Sequence, residues 1–270
     1  MKAANCILKC ASRIAFLGVL GIMMPGLANA DCKFVAGYGA EAPYHYPDDK
    51  GRIIGIDADV LRIVMRDIGC ELDFKSLPWK RTLLEIKHGQ SDLTMGASFK
   101  EERAKFAHYS IPYRGQPHVV AVRKSAGVDA TSLQEFLENG HTLGVVLGWH
   151  YTNKIRALLD APRFKAQIST AQEFEQLLKM HVAQRFTGFL ANPSLIAGIV
   201  GKDVLQRDYR MIRADIDILH FLLSKKTVSE AIARRFNDRL EERLAAGFFF
   251  DVCGKYESQL VSGCDFLSTR

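Results

Sequence analysis

At 270 residues, 48% of them hydrophobic, the chain is long enough for two lobes, each with its own core. Lysine and arginine number 36 against 30 acidic residues, a formal charge of +6. Lys2, Lys9 and Arg13 fall in an N-terminal leader expected to be removed, which leaves 33 basic residues and a charge of +3, too small an excess to argue for nucleic-acid or membrane binding.

The leader has the layout of a secretory signal peptide over residues 1–30. A basic start is followed by an apolar core over 14–24 and an A-x-A cleavage site at Ala28-Asn29-Ala30. The apolar run is too short to span a bilayer, and no later segment approaches the roughly 20 apolar residues of a membrane helix. The mature chain is expected to start at Asp31 and to be soluble. Asp31 precedes Cys32 where lipidation needs a small residue, which argues against a lipoprotein.

Four cysteines remain: Cys32, Cys70, Cys253 and Cys264. An even count in an exported chain favours disulfides, and the spacings fit no zinc pattern. Cys32 and Cys70 open the first two expected strands, whereas Cys253 and Cys264 would close a small C-terminal loop. The pairing Cys32–Cys70 with Cys253–Cys264 is favoured over the two other connectivities.

Residues 33–37 read as a buried strand. A helix capped by Asp57 follows, with an apolar face of Val60, Leu61, Val64 and Ile68. Residues 71–77 alternate as a second strand, 82–87 begin a second helix ended by Gly89, and 93–97 form a third strand. This rhythm predicts a parallel sheet flanked by helices, with ligands at the carboxyl ends of its strands. Ser98, three residues before Glu101, has capping-box spacing, and Arg103 lies one turn into the expected helix. Such a helix start presents free N–H groups, and an arginine beside it adds a fork that grips a carboxylate. The plainer reading is a cap at Ser98 and a local ion pair at Arg103.

A second unit repeats the rhythm: strands over 142–147, 165–168 and 186–190, a helix opened by Trp149-His150-Tyr151, and another over 171–180. A box from Thr227 to Glu230 starts a long amphipathic helix to about residue 246. Without a flexible linker, two lobes are expected to join through crossing strands near 114–119 and 216–221. His108, His118, His141, His181 and His220 form no metal spacing and read as surface or core residues, and Phe248-Phe249-Phe250 as core packing. Ser-His-Asp order, GxSxG, a phosphate loop and a metal cluster are not found in the sequence.

Taken in order, PYHYPDDKGRIIGIDADVLRIVMRDIG (43–69), PWKRTLLEIKHGQSDL (78–93), ASFKEERAKFAHYSIPY (97–113), LGVVLGWHY (143–151), GFLANPSLIAGIV (188–200) and RLEERLAAGFFFDVCGKY (239–256) resemble periplasmic solute-binding proteins of the polar amino-acid type, family 3. The resemblance implies an α/β, two-lobed periplasmic binding protein fold of type II, each lobe a mainly parallel sheet flanked by helices. It implies lobes over 31–114 plus 221–270 and over 115–220, joined by a two-strand hinge. It further implies a monomeric periplasmic protein without cofactor, which binds a small carboxylate-bearing solute for an ABC permease in the inner membrane.

By the same resemblance, Arg103 matches the arginine that binds the ligand carboxylate, with the Ser98 hydroxyl and the Gly96 backbone beside it. Trp79 and Glu41 lie where side chains meet the ligand body, and Tyr38 where polar ligand groups are within reach. Trp149 and His150 face the cleft from the second lobe. Trp79 also fits a packing role, and His150 a capping role. Asn192 stands where amino-acid binders usually place an aspartate for the ligand ammonium, so the α-amino side of the site is altered. Two other readings of the same fold are a cyclohexadienyl dehydratase-like enzyme, with Glu41 or His150 recruited as general acid, and a soluble sensor for a membrane receptor.

Overall fold

At Gly55 the backbone takes φ +120°, and an added Cβ would stand 2.4 Å from the Tyr44 carbonyl oxygen. Only glycine permits this approach. It lets the Asp57 amide donate to Tyr44 O at 2.8 Å and seats the start of a helix on the preceding turn. The computed structural model in which this is seen describes residues 32–260, 263–264 and 267. The expected signal peptide and its cleavage site lie outside the described residues.

The first half of the chain contains β1 (Lys33–Tyr38), β2 (Tyr46–Pro47), β3 (Ile53–Ile54), α1 (Ile56–Asp67), β4 (Glu71–Ser76), α2 (Trp79–His88), β5 (Leu93–Ser98), α3 (Glu101–Ala104), β6 (Ala107–Tyr109) and β7 (Arg114–Arg123). Next come α4 (Leu133–Glu138), β8 (Leu143–Val146), α5 (Asn153–Leu159), β9 (Ile168–Ala171), α6 (Phe174–Val182), β10 (Gly188–Ala191), α7 (Pro193–Val200) and α8 (Lys202–Asp208). The 16-residue β11 (Tyr209–Ser224), α9 (Glu230–Ala245) and α10 (Phe248–Gly254) complete the elements.

One mixed sheet runs β4-β1-β5-β11-β7-β10-β8-β9, with β6 also on β11. β1 pairs parallel with β4 and β5, and β8 pairs parallel with β9 and β10. The two parallel groups are connected by β7 and β11, antiparallel from Arg114 opposite Leu219 to Arg123 opposite Tyr209. The apolar residues collect on either side of that pair. Val60, Leu61, Val64 and Phe221 belong to one core, and Phe136, Leu143 and Leu190 to another. This is the type II periplasmic binding protein fold. Both disulfides are present, Cys32–Cys70 and Cys253–Cys264.

Several expected boundaries move. Ser98 does not cap α3: it ends β5, and α3 has four residues that begin after Lys100 with no side-chain cap. α1 begins after Gly55, so Asp57 lies inside the helix. Trp149-His150-Tyr151 precedes α5, whose cap is Thr152, accepting from the Ile155 amide. Residues 162–167 form a 3₁₀ turn with Pro162 at its start, and β9 follows rather than overlaps them. Thr227 continues the turn after β11 by donating its amide to Ser224 O, and Ser229 caps α9.

Candidate functional site

β7 carries a polar stripe. In a strand every second side chain shares a face, so Arg114, Gln116 and His118 project together. Antiparallel pairing sets Asp217 of β11 opposite Gln116, and Leu219 opposite Arg114. All five residues line a cavity of about 170 Å³ with Glu41, Trp79, Gly96, Ser98, Arg103 and His150. An adjoining cavity of about 460 Å³ shares Trp79, Gly96 and His150 and adds His45, Met95, Trp149, Asn192 and Leu195. Residues from the two parallel groups and from the strands between them therefore meet in one cleft.

The cleft floor is a buried ion pair. Arg114 Nε donates to Asp57 Oδ1 at 2.6 Å and Arg114 Nη2 to Asp57 Oδ2 at 2.8 Å. The guanidinium also lies 3.9 Å from the Tyr44 ring centroid. Burial pushes the Asp57 carboxyl up, but the Arg114 charge, with hydrogen bonds from His45 and Arg114, outweighs it and holds the pKa at about 2. His45 Nδ1 stands 3.2 Å from Asp57 Oδ2 and, facing an ionised carboxylate, is the donor. Gly96 adopts φ +66°, a backbone conformation that favours glycine, and lies against this floor: a Cβ there would stand 3.6 to 3.8 Å from Asp57, His45 and Arg114, at ordinary contact distance. Its own amide donates to the Tyr113 hydroxyl at 3.1 Å.

Arg103 lies above the floor. Its Nη1 donates to the Ser98 carbonyl at 3.0 Å, and its guanidinium lies 5.3 Å from the Trp79 ring centroid. Trp79, the first residue of α2, is 37% exposed, so its expected alternative as a packed core residue does not describe it. The Ser98 hydroxyl is committed: Oγ donates to Asp217 Oδ2 at 2.5 Å. His150 Nε2 lies 3.4 Å from the same Asp217 oxygen. Burial raises the Asp217 carboxyl, yet the hydrogen bonds from His150 and Ser98 prevail and leave it below its ordinary value. Burial drives the His118 imidazole below its ordinary value, toward the neutral form.

Across the cleft, Trp149 stacks on Phe174 at 5.5 Å. Asn192 caps α7, its Oδ1 accepting from the Ser194 amide at 2.8 Å. Its Nδ2 is buried and has no hydrogen-bond partner among the described residues. Tyr44 OH lies 3.1 Å from Ser194 Oγ at the same helix start.

The structure thus brings together Glu41, Trp79, Gly96, Ser98, Arg103, Trp149, His150 and Asn192. It does not bring Tyr38 to them. Tyr38 is 7% exposed, packs edge-on against Phe74, and lines neither cavity, because the inward face of β1 turns it into the core. Sequence reasoning missed His45, Arg114, Gln116, His118 and Asp217. Four of them lie on the two expected crossing strands, where alternation offers a signal that becomes specific only with the register of β7 against β11.

The class that this fold and cleft define is a solute-binding protein. The sequence profile of bacterial extracellular solute-binding proteins, family 3, matches residues 34–250, and the chain belongs to that family. It is 23% identical over 225 residues to a probable histidine-binding protein of Neisseria gonorrhoeae, covering 82% of this chain and 81% of that one. Among solved structures, the second substrate-binding domain of Lactococcus lactis GlnP in its open conformation is similar, with TM-score 0.63, 19% identity and coverage of 84% and 96%. So is an ancestral amino acid-binding protein described as a precursor of cyclohexadienyl dehydratase, with TM-score 0.61, 18% identity and coverage of 83% and 95%.

Proposed function

We propose that the protein captures a small carboxylate-bearing solute, an amino acid or related organic acid, by hinged closure and presents it to an ABC permease in the inner membrane. The observation that carries this reading is Arg103. Its guanidinium lines the cleft 5.3 Å from the ring centroid of a half-exposed tryptophan, and its bonds to the Ser98 carbonyl and the Tyr109 hydroxyl leave part of its five-donor fork for a ligand. A planar fork so placed suits bidentate binding of a carboxylate. Trp79, Glu41, Trp149, His150 and Asn192 surround the solute, while Ser98 and Gly96 border it with their hydrogen bonds already made inside the protein.

The lobes comprise residues 31–114 plus 221–270 and residues 115–220, with the stretches of β7 near 114–119 and of β11 near 216–221 as the hinge. The mature protein, cleaved after Ala30, works as a periplasmic monomer and is not an enzyme. Two of the relatives are named as a probable histidine-binding and an ancestral amino acid-binding protein, and these names support the solute class. A thermal-shift screen over amino acids, organic acids and aromatic acids tests the reading, because a ligand of the folded state raises the melting point by mass action. Stabilisation by at least one carboxylate-bearing compound is expected; none across the screen contradicts the proposal.

A further inference from the structure

The charges lining the cleft do not balance as a bare anion grip would. Two carboxylates, Glu41 and Asp217, and two arginines, Arg103 and Arg114, line the cavities. Arg114 is matched by buried Asp57. Arg103 is then the remaining arginine against Glu41 and Asp217, the latter with His150 Nε2 at 3.4 Å, so lining carboxylates outnumber the arginines not already paired.

Asn192 cannot correct that for a cationic ligand group. Its bond from the Ser194 amide establishes which end of the amide is the oxygen. What remains unpaired is Nδ2, a buried donor, in a side chain that lines the larger cavity and is 6% exposed. A donor meets an acceptor, such as a ligand carboxylate, and repels an ammonium.

Asp217 has the opposite character. It is ionised at neutral pH, sits on β11 between the two parallel groups, and accepts from Ser98 at 2.5 Å with His150 Nε2 at 3.4 Å. A carboxylate has about four acceptor sites, so these two partners leave capacity for a ligand. Trp79 and Trp149 add aromatic surface to the same cleft, which favours a cation.

We propose that Asp217 supplies the counter-charge for a cationic side-chain group of the ligand, and that the site takes a carboxylate-bearing solute of net positive charge. The inference rests on the reading of the cleft as a solute site with Arg103 on the carboxylate.

Isothermal titration of the mature chain with near-isosteric pairs, L-arginine against L-citrulline and L-lysine against L-norleucine, tests it. In at least one pair the cationic member should bind roughly tenfold tighter or more. Asp217→Asn should weaken the cationic member roughly 10- to 100-fold and the neutral one by less than about threefold, and Asp217→Glu should keep the preference. Equal binding within both pairs by the wild-type protein overturns the inference, as does a preference that survives Asp217→Asn. If Asp217→Asn does not fold, Glu41→Gln decides between the two lining carboxylates: a cationic preference that survives it keeps Asp217, and one that vanishes with it overturns the inference. Binding of neutral or acidic carboxylates, lost in Arg103→Ala but without preference for the cationic member, removes the Asp217 assignment alone. Absence of binding by every carboxylate compound removes both readings.

Discussion

Arg114 and Asp57 face each other through two hydrogen bonds, 2.6 and 2.8 Å, with both side chains shut off from solvent directly beneath Gly96. Removing one partner strands the other charge in the interior. Asp57→Asn and Arg114→Leu are each expected to destabilise the fold by about 3–5 kcal/mol, read as a lower midpoint in chemical denaturation. A loss below about 1 kcal/mol would show the pair to be solvated.

The same pair sets a pH dependence. The folded Asp57 carboxyl is lowered to about 2 from an ordinary 3.8. A depressed folded pKa contributes stability that is complete above the unfolded value and lost as pH falls through the folded one. Stability should therefore decline as the pH drops from about 5 toward 2, with a shallower slope in Asp57→Asn. Identical slopes in the two proteins would exclude Asp57 as a contributor.

The two disulfides should differ in worth. Cys32–Cys70 spans 38 residues and Cys253–Cys264 spans 11. Loop-closure entropy predicts about 4 kcal/mol for the first and about 3 for the second. Replacing each pair by alanine and comparing denaturation midpoints checks the order; a larger loss from the short loop would point to native-state effects instead.

Much of this fold is legible in the sequence where a period repeats long enough. β1, β4, β5 and α1 fall within one or two residues of their expected bounds, because alternation and the Val60, Leu61, Val64 stripe report burial directly. Failures occur where tertiary partners decide. Nothing local in the Ser98 to Glu101 spacing reveals that Asp217, 119 residues on, takes the serine hydroxyl. Asp57 reads as a cap because acidic residues favour helix starts, and its real partner, Arg114, is 57 residues away. The arginine and cleft-facing residues of family-like motifs were readable, whereas Gln116, His118 and Asp217 needed the register of β7 against β11.

Asn192→Asp should preserve the helix cap, since a carboxylate accepts from the Ser194 amide as an amide oxygen does, and would add a negative charge to the larger cavity. Affinity for cationic α-amino ligands is expected to rise by about tenfold in calorimetry. No gain for any amino acid would contradict the electrostatic account of this position.

Incubation with prephenate should yield no phenylpyruvate. Glu41 and His150 are the candidate general acids in the cleft, and His150 Nε2 is 3.4 Å from Asp217. Turnover abolished by Glu41→Gln or His150→Ala would instead make the protein an enzyme.

The central claim is that Arg103 anchors a ligand carboxylate, and calorimetric titration of Arg103→Ala tests it most directly, using the compound that most stabilises the wild-type protein. Arg103 contacts Ser98 O, the Tyr109 hydroxyl and the Trp79 ring at the cleft edge and makes no ion pair among the described residues, so the variant should fold with a melting point near wild type. Affinity should fall at least about 100-fold, the loss of two charge-assisted hydrogen bonds. Unchanged affinity in a folded Arg103→Ala protein would contradict the account.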